Sequence, residues 1–166
     1  GNEAWGCGGN MTADYYANEY RKYTTFLSGD IKLIASGASS DDYNWTETLM
    51  KNIPNNMLGG LALHHYSVID WNNKGDAVNF TEAQYFATMK EALKMEELVT
   101  KHSAIMDKYD PKKKVDLVVD EWGDWYDVEE NSNPGFLYQQ NTMRDAVLAG
   151  ATLNTIPYTH LTLPTI

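Results

Sequence analysis

The sequence of 166 residues has little cysteine, little positive charge and no long apolar run. Its one cysteine, Cys7, excludes an internal disulfide and is too few for a thiolate metal site. No run approaches the roughly 18 apolar residues of a membrane-spanning helix. Thirteen basic against 23 acidic residues give a net charge of −10. This balance argues against nucleic acid and anionic membrane as partners, because both need a basic surface.

Aromatic and apolar residues are, by contrast, plentiful. The chain has 11 tyrosines and 5 tryptophans, and 43% of its residues are hydrophobic, a globular composition with enough residues for one domain. Aromatic rings of this number fit a packed core. They fit a sugar-binding cleft as well, because rings stack on the apolar faces of sugars. Composition alone leaves both interpretations open.

Hydrophobic spacing predicts alternating helices and strands. Residues 10–27 fit a helix with Thr12 at its N-cap, closed by Gly29. Its predicted buried stripe consists of Tyr16, Tyr20, Tyr23 and Leu27. A strand from Ile31 to Ala35, closed by Gly37, and a helix over 41–53 follow.

The second half of the chain repeats this alternation. A strand is predicted over 61–68, and a capping box of Thr81 and Gln84 opens a long helix. A strand over 115–122, a helix over 136–150 ending at Gly150, and a last strand over 151–156 complete the pattern. The apolar positions expected on the long helix are Phe86, Met89, Leu93, Val99, Ile105 and Met106. Such alternation indicates a parallel α/β sheet, either a small doubly wound domain or part of an eight-stranded barrel.

Polar residues at strand ends are the candidates for chemistry, because parallel α/β folds collect functional groups at the carboxyl ends of their strands. Asp120 and Glu121 end one strand, and His64 and Tyr66 end another. His64 and Tyr66 share a face, whereas the neighbouring His65 points to the opposite one. The sequence has no H-E-x-x-H motif and no second histidine pair, so we expect no metal site.

Two distant glutamates suggest a reaction. Glu3 and Glu121 lie 118 residues apart, about three βα units at ~40 residues each. If residues 1–3 form the tip of a strand, both carboxylates border the same barrel mouth. A pair of carboxylates performs glycoside hydrolysis, in which one protonates the leaving oxygen and the other attacks the anomeric carbon or activates water.

The segments "GNEAWGCGGNM", "ASGASSDDYNWTE", "LHHY" and "DEWGDWY" resemble glycoside hydrolase family 51, the α-L-arabinofuranosidases. The resemblance covers residues 1–156 in the same order, and the tail over 157–166 is not family-like. It implies a partial (β/α)8 TIM barrel, roughly the C-terminal half from the end of strand 4 through strand 8. A family member carries further barrel strands before this region, so we expect the chain to be a fragment that is poorly stable and inactive alone.

The resemblance also implies residue roles. Glu3 corresponds to the general acid/base and Glu121 to the nucleophile of a retaining double displacement. The substrate-binding residues that it implies are Asn2, His64, Tyr66 and Trp125. The implied substrates are oligosaccharides or polysaccharides that contain arabinose, and no metal or organic cofactor is needed. To act as an acid, Glu3 should have a pKa raised by burial and by the charge of Glu121.

Three alternatives stay open on sequence grounds. One is another hydrolase of the same clan, such as an endoglucanase or a xylosidase. Another is a non-catalytic carbohydrate-binding α/β domain, and the last is a self-contained four-strand domain without a sugar role. Localisation is equally open between cytoplasm and secretion. A homo-oligomer is among the alternatives for the longer protein.

Overall fold

The computed structural model describes residues 2–128 and 142–156. Within these ranges the chain forms an α/β structure with one three-stranded parallel sheet in the order β1-β2-β3. The elements, in chain order, are α1 (Ala13–Thr24), β1 (Ile34–Ser39), α2 (Tyr43–Asn52), a 3-10 turn (Asn55–Met57), β2 (Gly60–Tyr66), α3 (Glu82–Tyr109), β3 (Asp116–Gly123) and α4 (Met143–Thr155). None of the described helices combines the length and apolar character that crossing a bilayer requires.

The chain divides into two compact units. The first comprises Gly1–His64 and Leu98–Asp120, and the second comprises His65–Glu97 and Glu121–Ile166. Both divisions at the sheet fall inside strands, β2 and β3. The sheet therefore belongs mainly to the first unit, while the last residues of β2 and β3 belong to the second.

The bounds of β1 differ from the prediction. The strand runs from Ile34 to Ser39, so Gly37 lies inside it and does not close it. Alignment of β1 with β2 shifts between Ala35 and Ala38, which marks a bulge. A Cβ at Gly37 would lie 1.5 Å from the carbonyl oxygen of Ala62. Glycine is required there by the close approach of the two strands, and not by a chain reversal.

Helix α1 is capped as expected but is shorter than predicted. The Thr12 side chain accepts a hydrogen bond from the Tyr15 amide, which confirms the N-cap. The helix ends at Thr24 and not at Gly29. At this end, the hydroxyls of Thr24 and Thr25 donate to backbone carbonyls one turn back. The predicted stripe is consequently wrong beyond Tyr20, and Tyr23 is 74% exposed.

The long helix α3 begins with the predicted capping box. Thr81 N donates to Gln84 Oε1 at 2.9 Å, and Gln84 N donates to Thr81 Oγ1 at 3.2 Å. Its buried face was predicted only in part, because Phe86 and Leu93 are exposed. Along one face, buried positions recur every three or four residues, at Thr88, Ala92, Met95, Val99, His102 and Met106. Half of these are small or polar residues, which a search for large apolar side chains passes over.

The prediction of a last strand over residues 151–156 is wrong, because these residues continue helix α4 to Thr155. The buried residues of that helix are Arg144, Leu148, Thr152 and Thr155, at the spacing of a single helical face. Gly150 therefore lies within the helix, where glycine is tolerated at a cost of about 1 kcal/mol. The part of the predicted helix before residue 142, and the tail over 157–166, lie outside the described residues.

A buried histidine stabilises the first unit. His102 is fully buried, and its Nε2 donates to the Ser40 carbonyl at 2.8 Å. Burial lowers the pKa of His102 below its usual 6.5, so the ring is neutral at pH 7. Its Nδ1 then accepts a hydrogen bond from the Thr46 hydroxyl at 2.8 Å.

Replacing Thr46 with valine should destabilise the protein by about 1–3 kcal/mol at pH 7, because it leaves buried Nδ1 without a donor. Thermal unfolding of the whole protein tests this, with Thr46→Ser as the control that keeps the hydroxyl. Because the folded pKa of His102 is lowered, its contribution is complete above about pH 6.5 and is lost as the pH falls below that value. Equal unfolding temperatures for the two variants would contradict the assignment.

Candidate active site

In the first unit, Glu3 lies in a turn over residues 2–9 that is fastened to β1. Ala4 N donates to Ser36 Oγ at 3.0 Å, and Trp5 Nε1 donates to the Gly37 carbonyl at 3.0 Å. Glu3 itself has a φ of 48°, a left-handed conformation that is unusual for a residue with a side chain. The two bonds to β1 place the glutamate beside the sheet. Asn2 begins the same turn and is exposed.

Glu3 and His64 are hydrogen-bonded. His64 Nδ1 lies 3.0 Å from Glu3 Oε1, and the Cys7 thiol donates to Glu3 Oε2 at 3.1 Å. The other ring nitrogen, His64 Nε2, lies 3.3 Å from Asp120 Oδ1. The His64 side chain, only 6% exposed, therefore connects two carboxylates within this unit.

The pKa of Glu3 is lowered, against the expectation of a raised value. Burial raises this pKa, but the hydrogen bonds from His64 and Cys7 and the charge of His64 together lower it more. The expectation rested on burial and on the charge of Glu121, and it left out the hydrogen-bond donors around Glu3. Glu3 is thus held as a carboxylate in this arrangement.

In the second unit, the carboxyl ends of β2 and β3 place Tyr66 beside Glu121. The Tyr66 hydroxyl donates to Glu121 Oε1 at 2.9 Å. Ser67 N donates to the Gly123 carbonyl at 2.7 Å and joins the two chain segments just past this contact. Trp125 lies edge-on to Tyr66, with ring centroids 5.2 Å apart. Three of the residues singled out from sequence thus lie together in this unit.

His65 points away from these groups, as the strand alternation predicted. It is 5% exposed, and its Nε2 lies 3.2 Å from the Glu91 carbonyl oxygen on α3. This contact gives the His65 imidazole a backbone partner on α3. The histidine pair at the end of β2 therefore contributes one residue, His64, to the candidate site.

A buried cluster that sequence reasoning missed holds the segment after β3. The Tyr126 hydroxyl lies 3.0 Å from Asp124 Oδ2 and 3.1 Å from Asp145 Oδ1. Burial, and next the Asp145 carboxylate, raise the pKa of Asp124 to about 6. The Arg144 guanidinium stacks between Tyr126 and Phe80, at 3.7 and 3.8 Å from the ring centroids. This packing anchors the residues on both sides of Trp125.

The only hint of this cluster in the sequence is indirect. Arg144 and Leu148 have the four-residue spacing of one helix face, and a charged residue in an apolar stripe indicates a buried partner. The Cys7 thiol that donates to Glu3, and the Asp120 carboxylate that lies beside His64, could not be assigned these contacts from the sequence. Their roles follow from the fold.

The chain is similar to proteins of known family. The family model for the α-L-arabinofuranosidase C-terminal domain matches residues 120–157. An intracellular exo-α-L-arabinofuranosidase of Bacteroides ovatus is 47% identical over 159 residues, which cover 93% of this chain and 31% of that protein. The crystal structure of the glycoside hydrolase family 51 arabinofuranosidase from Xanthomonas axonopodis pv. citri has a TM-score of 0.88 and 47% identity. The match covers 95% of this chain and 33% of the Xanthomonas chain.

Identity at this level over nearly the whole chain reflects common ancestry, and the class it defines is that of the glycoside hydrolases. The chain belongs to glycoside hydrolase family 51, the family of the solved arabinofuranosidase that it matches. It spans about a third of the length of the relatives that it matches. The resemblance identified from the sequence motifs is therefore confirmed.

Proposed function

We propose that the chain carries the two catalytic glutamates of a retaining, exo-acting arabinofuranosidase that removes terminal α-L-arabinofuranosyl groups from glycans. The observation that carries the proposal is the hydrogen bond from Tyr66 to Glu121 at the end of β3. It fixes one oxygen of a strand-end carboxylate, as a nucleophile that must meet an anomeric carbon requires. The activity stated for both relatives supports the substrate class.

In the proposed first step, Glu121 attacks the anomeric carbon of arabinose while Glu3 protonates the leaving glycosidic oxygen. The bond to the leaving group breaks, and a covalent ester between the sugar and Glu121 forms. In the second step, Glu3 removes a proton from water, which attacks the same carbon and releases Glu121. Two inversions give net retention, and no step uses a metal or an organic cofactor.

Glu3 has to change protonation state within this cycle. Its lowered pKa suits the second step, in which it acts as a base. For the first step it must hold a proton, so substrate has to raise its pKa. We propose that sugar binding does this by excluding water and by competing with Cys7, the exposed donor, for Oε2.

The remaining proposed residues bind the sugar. His64 orients Glu3 through the bond to Oε1, and Trp125 borders the arabinose beside Tyr66. Asn2, next to Glu3 in the same turn, donates to the sugar 2-hydroxyl. The ligand is a neutral glycan, which suits a chain of net charge −10.

We propose further that residues 1–156 are about half of a (β/α)8 barrel, with β1, β2 and β3 as its fifth to seventh strands. Among the described residues, β1 and β3 are the edges of the sheet. In a closed barrel each would pair with another strand. The residues over 157–166 lie outside this domain.

The isolated chain is expected to be inactive and poorly stable, whereas the full-length enzyme hydrolyses 4-nitrophenyl α-L-arabinofuranoside. The unpaired edges of β1 and β3 cost the isolated chain part of its stability. Parallel assays and thermal unfolding of the two proteins test this. Turnover together with cooperative unfolding of the 166-residue chain would contradict it. Preference of the full-length enzyme for β-glucan or xyloside substrates would instead favour another hydrolase of the clan.

A further inference from the structure

Trp71, which has no role in the proposed reaction, lies at the end of a row of aromatic rings that begins at the nucleophile. Tyr66 donates to Glu121, and the Trp125 ring lies edge-on to Tyr66. Trp71 in turn lies edge-on to Trp125, with centroids 5.9 Å apart and an interplanar angle of 76°. The row is thus continuous within the second unit, from Tyr66 through Trp125 to Trp71.

Trp71 is 56% exposed, so more than half of its side chain is accessible to a ligand. Its neighbours Asp70, Asn72 and Asn73 are exposed as well. A tight turn holds the ring at the tip of its loop, because Asn72 N donates to Asp70 Oδ1 at 2.9 Å and Asn73 N to the Asp70 carbonyl at 3.2 Å. An exposed indole among amide and carboxylate groups can stack on a sugar and hydrogen-bond its hydroxyls.

The Trp71 loop is joined to the Trp125 segment by hydrogen bonds. Gly75 N donates to Asp127 Oδ2 at 3.1 Å, and Asp127 N donates to the Gly75 carbonyl at 2.9 Å. Lys74 adds an ion pair to Asp127 at 3.5 Å. Both tryptophans are therefore held on connected backbone. The surface is already formed before a ligand binds, so the protein loses less conformational entropy on binding.

We propose that Trp71 binds the sugar units on the leaving-group side of the scissile bond and sets the preference for oligomeric over small substrates. The inference rests on the proposed function. An exo-acting enzyme removes a terminal sugar, so the rest of the glycan lies on the leaving-group side. Trp125 borders the arabinose at Glu121, and Trp71 lies one ring further out. A 4-nitrophenyl group is too short to use the outer ring fully, whereas the main chain of an arabinose-substituted oligosaccharide reaches it.

The test compares Trp71→Ala with the wild-type full-length enzyme on 4-nitrophenyl α-L-arabinofuranoside and on a neutral arabinose-substituted xylo-oligosaccharide. The ratio of kcat/KM for the oligosaccharide to kcat/KM for the aryl substrate should fall about 3- to 10-fold, the worth of one aromatic contact. The fall should appear in the KM of the oligosaccharide and not in its kcat, because the contact is equally strong before and during the reaction. Trp71→Phe, which keeps a ring, should lose less.

Phe26→Ala is the matched control, since Phe26 is an aromatic residue that is 85% exposed in the first unit. It should leave the ratio at the wild-type value. A Trp71→Ala ratio equal to that of wild type overturns the inference, whether both activities are retained or both fall together. A wild-type enzyme that hydrolyses neither substrate would overturn the proposed function as well, and so separates the two failures.

Discussion

Replacing Glu121 with glutamine in the full-length enzyme is expected to lower kcat by roughly 10⁴-fold or more, the scale seen when a covalent nucleophile is removed. Glutamine has nearly the same shape as glutamate, and its carbonyl oxygen can still accept the Tyr66 hydrogen bond. The local structure should therefore persist. What is lost is the negative charge and the nucleophilic oxygen that forms the glycosyl ester. Steady-state turnover of 4-nitrophenyl α-L-arabinofuranoside measures the effect.

A second carboxylate on the same strand provides the control. Asp116 is half-exposed and pairs with Lys32 at the opposite end of β3, so Asp116→Asn should keep activity close to wild type. Glu121→Ala should regain turnover in sodium azide, because a small anion fits the space of the missing carboxylate. It would yield a glycosyl azide of inverted configuration. A Glu121→Gln enzyme with more than about a tenth of wild-type kcat would contradict the nucleophile assignment.

Replacing Glu3 with glutamine should lower kcat by about 10²- to 10⁴-fold on substrates whose leaving group is a sugar, because such oxygens need a proton to depart. On 4-nitrophenyl α-L-arabinofuranoside the first step needs little acid assistance. The second step then limits the rate, and the covalent intermediate accumulates. The measurement is the difference between the two substrate types, with a burst of nitrophenol on the aryl substrate.

The pH profile separates an acid/base role from a structural one. The alkaline limb of kcat/KM reports the acid in the free enzyme, and Glu3→Gln should remove it. Cys7→Ala should move that limb to higher pH, because it removes one of the hydrogen bonds that lower the pKa of Glu3. Cys7→Ser keeps a donor and should move it less. An alkaline limb that persists in Glu3→Gln would assign the acid to another residue.

The parts of the fold that were predictable from sequence are those with a local cause. Thr12 and the Thr81–Gln84 box identified two helix starts, because a cap depends only on residues a few positions away. Strands β2 and β3 stood out as apolar runs ending in polar residues. The predicted secondary structure was wrong where packing between distant residues decides it. Gly37 sits inside β1 because of Ala62 on another strand, and residues 151–156 continue a helix across Gly150.

In the candidate site too, the residues could be identified from sequence, whereas the contacts that depend on the fold could not. Glu3, Glu121, His64, Tyr66 and Trp125 could be named from motifs, since residue type and strand-end position are visible in sequence. The hydrogen-bond partners of these residues could not be named from the sequence. The bonds from His64 and Cys7 to Glu3 depend on how the turn over 2–9 packs beside the sheet, and they reverse the expected direction of the Glu3 pKa shift.

The most direct test of the central claim is mass spectrometry of the full-length Glu3→Gln enzyme after reaction with 4-nitrophenyl α-L-arabinofuranoside. Without its base, the enzyme should accumulate the glycosyl ester. We predict one arabinofuranosyl group on the peptide that contains Glu121, lost slowly in water and quickly in azide. An adduct on a different residue, or a product released with inverted anomeric configuration and no adduct, would contradict double displacement by Glu3 and Glu121.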